Sequence, residues 1–510
     1  MSAGPSPLET VDSTNPLHRP SRNLVLCFDG TSNEYSDNAS HLVARSCKVT
    51  LLTNLLQNTN IVKLFGTLDK EKPDLQLCYY QAGVGQYEHP QIQSLSKIRT
   101  GTYFKPGVVN PMFTWLATIL DEAVAWYLNE HVMDGYKFLM QNYRTGDKIC
   151  IFGFSRGAYT ARALAGMLHK VGLLAKDNAE QVPFAYKVYN RSDDAANTLA
   201  AGFKRTFARD VKVEFLGVFD TVASVGVLVR KNLPFTAANS AVKTFRHALS
   251  LDERRAKFQP NLYHRPSPNP DKDPQHASLH TSYMPKYFSE IEREVLAETA
   301  ELRQKFSFKR NLRTSGVSSA PSSPSISAKA AREAEMILAE DAELVGTDVL
   351  EVWFAGCHGD VGGSSVPDAV RLSLSQITLH WMLREIVAAQ CGVRFDNDAL
   401  ALVGFDPTAP VTSSNPEDPS DAVQPMYDQL SFKPWKWAAL GWWILEIIPL
   451  QFSSQDGKGV WRTFWSIHRG RGRKIPDIGP KFHTSVKDRM AKLKYRPAAT
   501  WVSGTEVFVE

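Results

Sequence analysis

The most regular feature of the chain is a set of short apolar runs, each closed by a glycine, an aspartate or a serine. They are NLVLCFDG (23–30), LQLCYYQAG (75–83), DKICIFGFS (147–155), VKVEFLGVFD (211–220) and VLEVWFAGCHGD (349–360). None alternates cleanly between apolar and polar positions. An unbroken apolar run of this length suits a strand buried on both faces, as in a parallel sheet. Between the runs the spacing changes to three and four: MFTWLATILDEAVAWYLNEHVMDGYKFLMQNY (112–143) and AYTARALAGMLHKVGLL (158–174) carry helical periodicity, the second stopping near Gly172. Strands alternating with helices predict an α/β fold, a doubly wound and mostly parallel sheet with helical insertions. Ligands of such sheets bind beyond the carboxyl ends of the strands, and the polar residues of these runs fall at those ends.

After Asp220 the rhythm breaks. A Pro-rich loop (265–276) is followed by two charged amphipathic helical patterns (287–306 and 328–346), which flank a Ser/Pro-rich segment (313–327) that reads as disordered. A further polar loop spans 406–425, and no internal repeat is visible. Residues 1–22 are polar and Pro/Ser-rich with no apolar core of a secretory signal, and read as a disordered leader. The catalytic domain is expected over 23–497, with insertions near 39–58, 86–101, 263–346 and 406–425, and 498–510 reads as a C-terminal tail.

Composition narrows the function classes. With 510 residues, 43% of them hydrophobic, the chain can bury a large core, in one large domain with insertions or in two domains. A formal charge of +5 is too slight a basic bias to argue for nucleic acid, and no nucleic-acid partner is expected. Six cysteines form no CxxC pair, and Cys27, Cys78, Cys150 and Cys357 sit in or beside strand-like runs, as small buried hydrophobes do. Neither a disulfide framework nor a metal or other cofactor is expected, and a reducing, cytoplasmic compartment fits. The most hydrophobic stretch, WKWAALGWWILEIIPLQF (435–452), is interrupted by Lys436, Glu446 and Pro449 and falls short of a membrane span.

The chemistry concentrates at GFSRG (153–157). A G-x-S-x-G between a strand and a helix forms a tight turn that lifts the serine above the sheet, with glycines where side chains would clash. Ser155 follows KICIF and opens AYTARALAGML, so it is read as a nucleophile, the alternative being a structural turn. The backbone N–H of Arg156, at the amino end of the next helix, suits an oxyanion. A serine needs a base and the base an orienting carboxylate. Asp220 and Asp360 are the carboxylates at strand ends; His358 and His483 are the bases. Ser155, Asp220 and His358 rank first and keep the chain order of α/β-hydrolases. Ser155, Asp360 and His483 keep the order too, but HTSVKDRM reads as the start of a helix. A plain turn histidine capping a helix is the alternative for His358. CFDGTSN (27–33) ends the first strand, so Asp29, Gly30 and Thr31 are candidates for the site loop, a backbone N–H there serving as second oxyanion donor. A phosphatase-type aspartyl nucleophile is disfavoured because Cys27 stands where its carboxylate would be.

Taken together, LVLCFDGTSN, YYQAGVG, IFGFSRGAYTARALAGML, FLGVFDTVASVG, VWFAGCHGDVGG and HTSVKDRM, in this order, resemble the uncharacterised α/β-hydrolase family that includes the first class of type VI secretion phospholipase effectors. The resemblance covers about residues 23–497 and is to a stand-alone fungal member. It implies an α/β-hydrolase fold and a Ser–Asp–His triad matching Ser155, Asp220 and His358. It implies an acyl-ester substrate, a phospholipid in the bacterial relatives. A small-ester esterase, a thioesterase and a non-catalytic binding protein on the same fold are the competing readings. The four tryptophans of 433–452 suit an apolar lid or a peripheral membrane contact, and the basic run HRGRGRK (468–474) suits anionic headgroups; a core helix and a surface loop are the plain alternatives.

Two segments, 39–58 and 86–101, interrupt the family's pattern at loop positions and are read as retained intron sequence. The expected transcript lacks both; a message that carries both segments overturns this reading.

Overall fold

The computed structural model describes residues 21–30, 57–83, 128–191, 193–222, 233, 235–236, 239–263, 347–407, 420–431, 442–443, 445–455, 461–475 and 479–510. Thr31, Cys47, most of 39–58, all of 86–101, the segment 264–346 and residues 432–441 lie outside them.

All five apolar runs contain strands of one sheet: β1 (Asn23–Phe28), β2 (Gln76–Gln81), β3 (Lys148–Phe154), β6 (Val213–Phe219) and β8 (Asp348–Phe354). The eight-stranded order is β12-β11-β8-β7-β6-β3-β1-β2, and every neighbouring pair is parallel. Here β7 is Val242–Ser250, β11 is Lys481–His483 and β12 is Val507–Val509. A short ribbon, β4 (Leu173–Leu174) with β5 (Ala208–Arg209), and a hairpin, β9 (Pro449–Gln455) with β10 (Trp461–Ile467), stand apart from it. The chain runs from β1 out to β2, then returns to the other side of β1 as β3 and continues outward. The winding therefore reverses between β1 and β3, and their carboxyl ends flank the crevice where such sheets bind ligands.

The continuous apolar runs are explained by two cores. In β1, Leu24, Leu26 and Phe28 enter one core, while Val25 and Cys27 enter the other. Successive side chains point to opposite faces, so a strand covered on both sides shows no alternation. Helix α1 (Asn60–Thr67) lies on one face with α4 (Leu374–Ala388); α2 (Arg156–Val171) lies on the other. The short α3 is His358–Gly362, and α5 is Thr484–Leu493.

Strand β7 lies near the middle of the sheet, in the stretch where the sequence rhythm breaks. Its apolar pattern is hidden by Lys243, Arg246 and His247. The last two are buried and answered by partners far along the chain: Arg246 by Asp348 and Glu385, His247 by Glu351. The segment read as a tail contains β12, an edge strand of three residues, too short to carry a pattern. The apolar segment 433–452 contains no long helix among its described residues; it ends in β9. No described helix is long and apolar enough to cross a membrane.

Helix α2 is buried from Gly157 to Val171, and its small residues let it lie close on the sheet. The contact is tightest at Gly157, where an added Cβ would stand 2.3 Å from the carbonyl oxygens of both Phe28 and Asp29. Those atoms are backbone at the carboxyl end of β1, which is paired on both sides by β2 and β3, and cannot give way. Gly157→Ala is therefore expected to lower the unfolding free energy by about 2 kcal/mol or more, opposite in sign to the gain of about 1 kcal/mol the same change gives in an open helix. Urea denaturation measures it; an unchanged or raised midpoint contradicts the packing argument.

Candidate active site

The turn between β3 and α2 is strained in the way its glycines allow. Ser155 has φ 58° and ψ −121° and precedes the first helical residue. A side chain at Gly153 would stand 2.5 Å from the Gly157 carbonyl oxygen, so both glycines are required for the turn to close. The Ser155 N–H donates to the Phe219 carbonyl at 3.0 Å, tying the turn to the end of β6.

Asp220 is the residue after β6, also at positive φ (40°), and is fully buried. His358 opens α3, just past β8. Three parallel strands thus deliver three side chains to one end of the sheet. His358 Nε2 lies 2.8 Å from Ser155 Oγ, and His358 Nδ1 lies 2.5 Å from Asp220 Oδ2. This fits the tautomer with the proton on Nδ1, donated to Asp220, leaving Nε2 to accept from the serine. The imidazole is clamped by Phe154, stacked at 4.7 Å between centroids, and by the edge of Phe258 at 4.8 Å. Burial pushes His358 below its ordinary value, and the adjacent Asp220 pulls it partly back. Burial by itself would raise the Asp220 carboxyl, but Arg473 and His358 outweigh it and hold Asp220 well below the usual carboxylate range.

The other sequence candidates divide differently. Asp360 accepts from the Cys357 and Tyr427 N–H groups at 2.9 and 3.0 Å and caps α3; burial raises it to about 6. His483 caps α5 through Ser485 N–H, stacks on Phe354 and is pushed down to about 3 by burial. The hydroxyl of Ser155 bonds His358, not His483. Asp29 ends β1 in the crevice, accepting from Gly30 N–H, Thr59 and Tyr80 at 2.7, 2.9 and 2.8 Å, and burial raises it to about 6. The two described amides of that loop are occupied, Asp29 N–H on Gln81 and Gly30 N–H on Asp29 itself. The Arg156 guanidinium makes no ion pair among the described residues, and burial lowers it to about 10.

Two contributors were not legible in the sequence. Glu253 is buried, pairs with Arg255 at 2.9 Å and accepts the His358 backbone N–H at 3.2 Å. Arg473 belongs to the basic run expected to face anionic headgroups, yet its guanidinium is buried against Asp220. His468 of the same run is also buried, on Glu446 at 2.7 Å. Only Arg469, Arg471 and Lys474 of that run's basic residues remain exposed. Nothing local separates Arg473 from Arg469 or Arg471; a packed neighbour decides which one turns inward. Trp442, one of the tryptophans that suit a lid or a core helix, stacks edge-on with Phe258 at 5.4 Å and lies under Arg255 at 4.8 Å, and the same Phe258 ring meets His358.

A family model described as T6SS, phospholipase effector Tle1-like, catalytic domain, matches residues 22–385. The chain belongs to that family. This is the family the six motifs resemble, and its match takes in Ser155, Asp220 and His358 while ending before Arg473. The chain is 28% identical over 604 aligned positions to an uncharacterised protein of Saccharomyces cerevisiae, YEL023C, covering 95% of this chain and 82% of that one. Among solved structures it is similar to an uncharacterised protein from Pseudomonas aeruginosa (17% identity, TM-score 0.34, 76% of this chain and 49% of the other). It is also similar to the Tle1 effector bound to the VgrG spike of the type 6 secretion system (20% identity, TM-score 0.24, 48% of each chain). The chain thus spans about half the length of these two solved chains.

Proposed function

We propose that this Tle1-like family member is a serine hydrolase that cleaves acyl esters, with phosphoglycerides as the substrate class. Membership in a family of phospholipase catalytic domains supports hydrolysis at the coarser level. The finer reading rests on one observation: the unbroken line from Ser155 Oγ through His358 to buried Asp220. Ser155 Oγ attacks the ester carbonyl as its proton passes to His358 Nε2. Asp220 stabilises the imidazolium that forms. The tetrahedral oxyanion lies near the amino end of α2, where the first N–H groups of a helix have no intrahelical acceptor. Its collapse breaks the ester C–O bond, and His358 returns the proton to the leaving alcohol. Water, deprotonated by the same imidazole, then hydrolyses the acyl-enzyme and regenerates Ser155. The Arg156 guanidinium, one residue from the nucleophile and without an ion pair among the described residues, suits a substrate that carries a phosphodiester.

Fluorophosphonate labelling of the wild type, beside Ser155→Ala, is the first test. The expected result is labelling of the wild type alone, with ester hydrolysis reduced about 10⁴-fold or more in the variant. A folded wild type that neither labels nor hydrolyses overturns the reading in favour of a binding protein. The pH profile follows from His358. Only the neutral imidazole accepts the serine proton, and burial lowers its value. The acid limb of kcat/KM is therefore expected below pH 6.5, with activity rising through it to a plateau; a limb above about 7 contradicts the assignment.

A lipid substrate calls for a surface that meets lipid. Ile447, Phe464 and Trp465, on and beside the β9–β10 hairpin, are 62%, 48% and 59% exposed. We assign peripheral membrane contact to this hairpin together with segment 433–452. Trp442 and Trp443 are poor probes of it, since they contact Phe258 and the Leu430 carbonyl. Phe464→Ser with Trp465→Ser is expected to reduce co-sedimentation with phosphatidylglycerol-containing vesicles several-fold, with the thermal melt unchanged; equal binding by the folded variant rules the contact out.

A further inference from the structure

The Asp220 carboxylate has more than one partner. Arg473 Nη1 donates to Oδ1 at 2.6 Å and Arg473 Nη2 to Oδ2 at 2.9 Å, a two-pronged contact with both carboxylate oxygens. Ser250 N–H adds a third donor to Oδ1 at 3.0 Å, and His358 Nδ1 completes the set on Oδ2. The arginine is itself held from behind. Its Nη1 and Nη2 also donate to the carbonyls of Ser250 (3.0 Å) and Phe258 (2.5 Å), and its Nε to Phe258 (3.2 Å). The backbone around it is tied down, with Thr500 N–H on the Arg473 carbonyl at 2.8 Å and Ile475 N–H on the Thr500 carbonyl at 2.9 Å. Neither side chain reaches solvent: Asp220 is fully buried and Arg473 is 1% exposed.

We propose that Arg473 is a positioning residue of this site: its guanidinium fork turns and holds the Asp220 carboxylate so that Oδ2 faces His358 Nδ1. The assignment rests on the serine-hydrolase reading above. A buried carboxylate needs a counter-charge, and in the resting state the neutral imidazole does not supply one. Arg473 supplies it as a positive charge that is part of the fold. The fork also fixes rotation about the Asp220 side chain, which a point charge does not do. The consequence for the chain is that the site is incomplete within the family match: residues 22–385 carry the three reacting side chains, and the loop after β10 carries the group that orients one of them.

The electrostatic sign of the effect gives a readout that a merely structural arginine would not. The Asp220–His358 pair takes up one proton during catalysis. A fixed positive charge on the carboxylate disfavours that proton, so neutralising Arg473 makes the pair bind it more tightly. Among the described residues, the other charged or titratable groups around the pair are Glu253 and Arg255, in the turn after β7, and His247 on β7 itself; they stay in place in the variants.

The experiment compares full-length wild type, Arg473→Gln and Arg473→Lys on a soluble short-chain p-nitrophenyl ester across pH, with thermal melts to establish folding and Ser155→Ala as the blank. Arg473→Gln is expected to move the acid limb of kcat/KM upward by about one unit and to lower kcat about 10- to 100-fold with KM within about threefold. Arg473→Lys, which keeps the charge and loses the fork, is expected to leave the limb near its wild-type position while kcat falls. A folded Gln variant with wild-type kcat and limb overturns the proposal. So does a Gln variant whose loss is the same at every pH. If Arg473→Gln does not fold, the lysine variant decides: reduced kcat with unchanged KM supports the fork, and wild-type kcat refutes it. A wild type that does not turn over at all sinks the hydrolase reading, and the Arg473 role with it. A wild type that turns over beside an unaltered Gln variant sinks the Arg473 role alone.

Discussion

A carboxylate with no exposure to water, Asp220, sits at the centre of this site, and much of the surrounding structure answers its charge. Removing such a group from water costs several kcal/mol unless its oxygens are matched by donors and its charge by a cation. Here the donors come from β7 (Ser250), α3 (His358) and the loop after β10 (Arg473), three places far apart in the chain. The carboxylate therefore fastens the C-terminal loop to the middle of the sheet. The same geometry leaves His358 with one acceptor for Nδ1 and directs its other nitrogen at Ser155. Charge compensation and alignment of the imidazole are one arrangement.

The second constraint is steric. The close approach of α2 to β1 at Gly157 and the tight β3–α2 turn at Gly153 make Ser155 adopt positive φ. A serine in that conformation is strained, and the strain is held by an apolar helix buried along nearly its whole length. The packing of α2 fixes the buried Ser155 hydroxyl at the carboxyl end of the sheet. Around His358, Phe154 and Phe258 restrict the ring, while Glu253 holds its backbone through the N–H. Phe258 in turn meets Trp442, so the apolar segment read as a lid reaches the His358 imidazole through one aromatic ring. Glu446, three residues before β9, is fully buried and accepts from Ala256 N–H at 2.6 Å, from Gly470 N–H at 2.9 Å and from His468. This pins the same segment to the turn after β7 and to the loop that carries Arg473.

Three of the sheet's five legible strands stood out because their environment is uniform. β1, β3 and β6 are buried on both faces, and no polar residue interrupts their centres. β7 was not legible, because Arg246 and His247 look like surface residues until Glu385, Asp348 and Glu351 are brought beside them. β12 is three residues long and has no period to read. The choice of Asp220 and His358 over Asp360 and His483 was available in the sequence as a preference only, since both pairs keep chain order and only the helix-start pattern of HTSVKDRM separated them. Asp360 and His483 both serve as helix-end caps, a local duty that HTSVKDRM signals for one and that the glycine-rich turn around Asp360 does not signal for the other.

By itself the sequence determined the fold class, the turn that carries Ser155 and the family, because each depends on short-range order: apolar runs buried on both faces, a glycine two residues before and after a serine, motifs in fixed succession. The tertiary structure decided the rest. It chose which histidine reaches Ser155, gave Asp220 a cation from the far end of the chain, and turned one arginine of a basic run inward while its neighbours stayed in water. Those outcomes depend on which groups meet across hundreds of residues, 203 between Ser155 and His358 and 253 between Asp220 and Arg473. The energy of burying a charge is set by the partner it finds there, and no window of local sequence contains both.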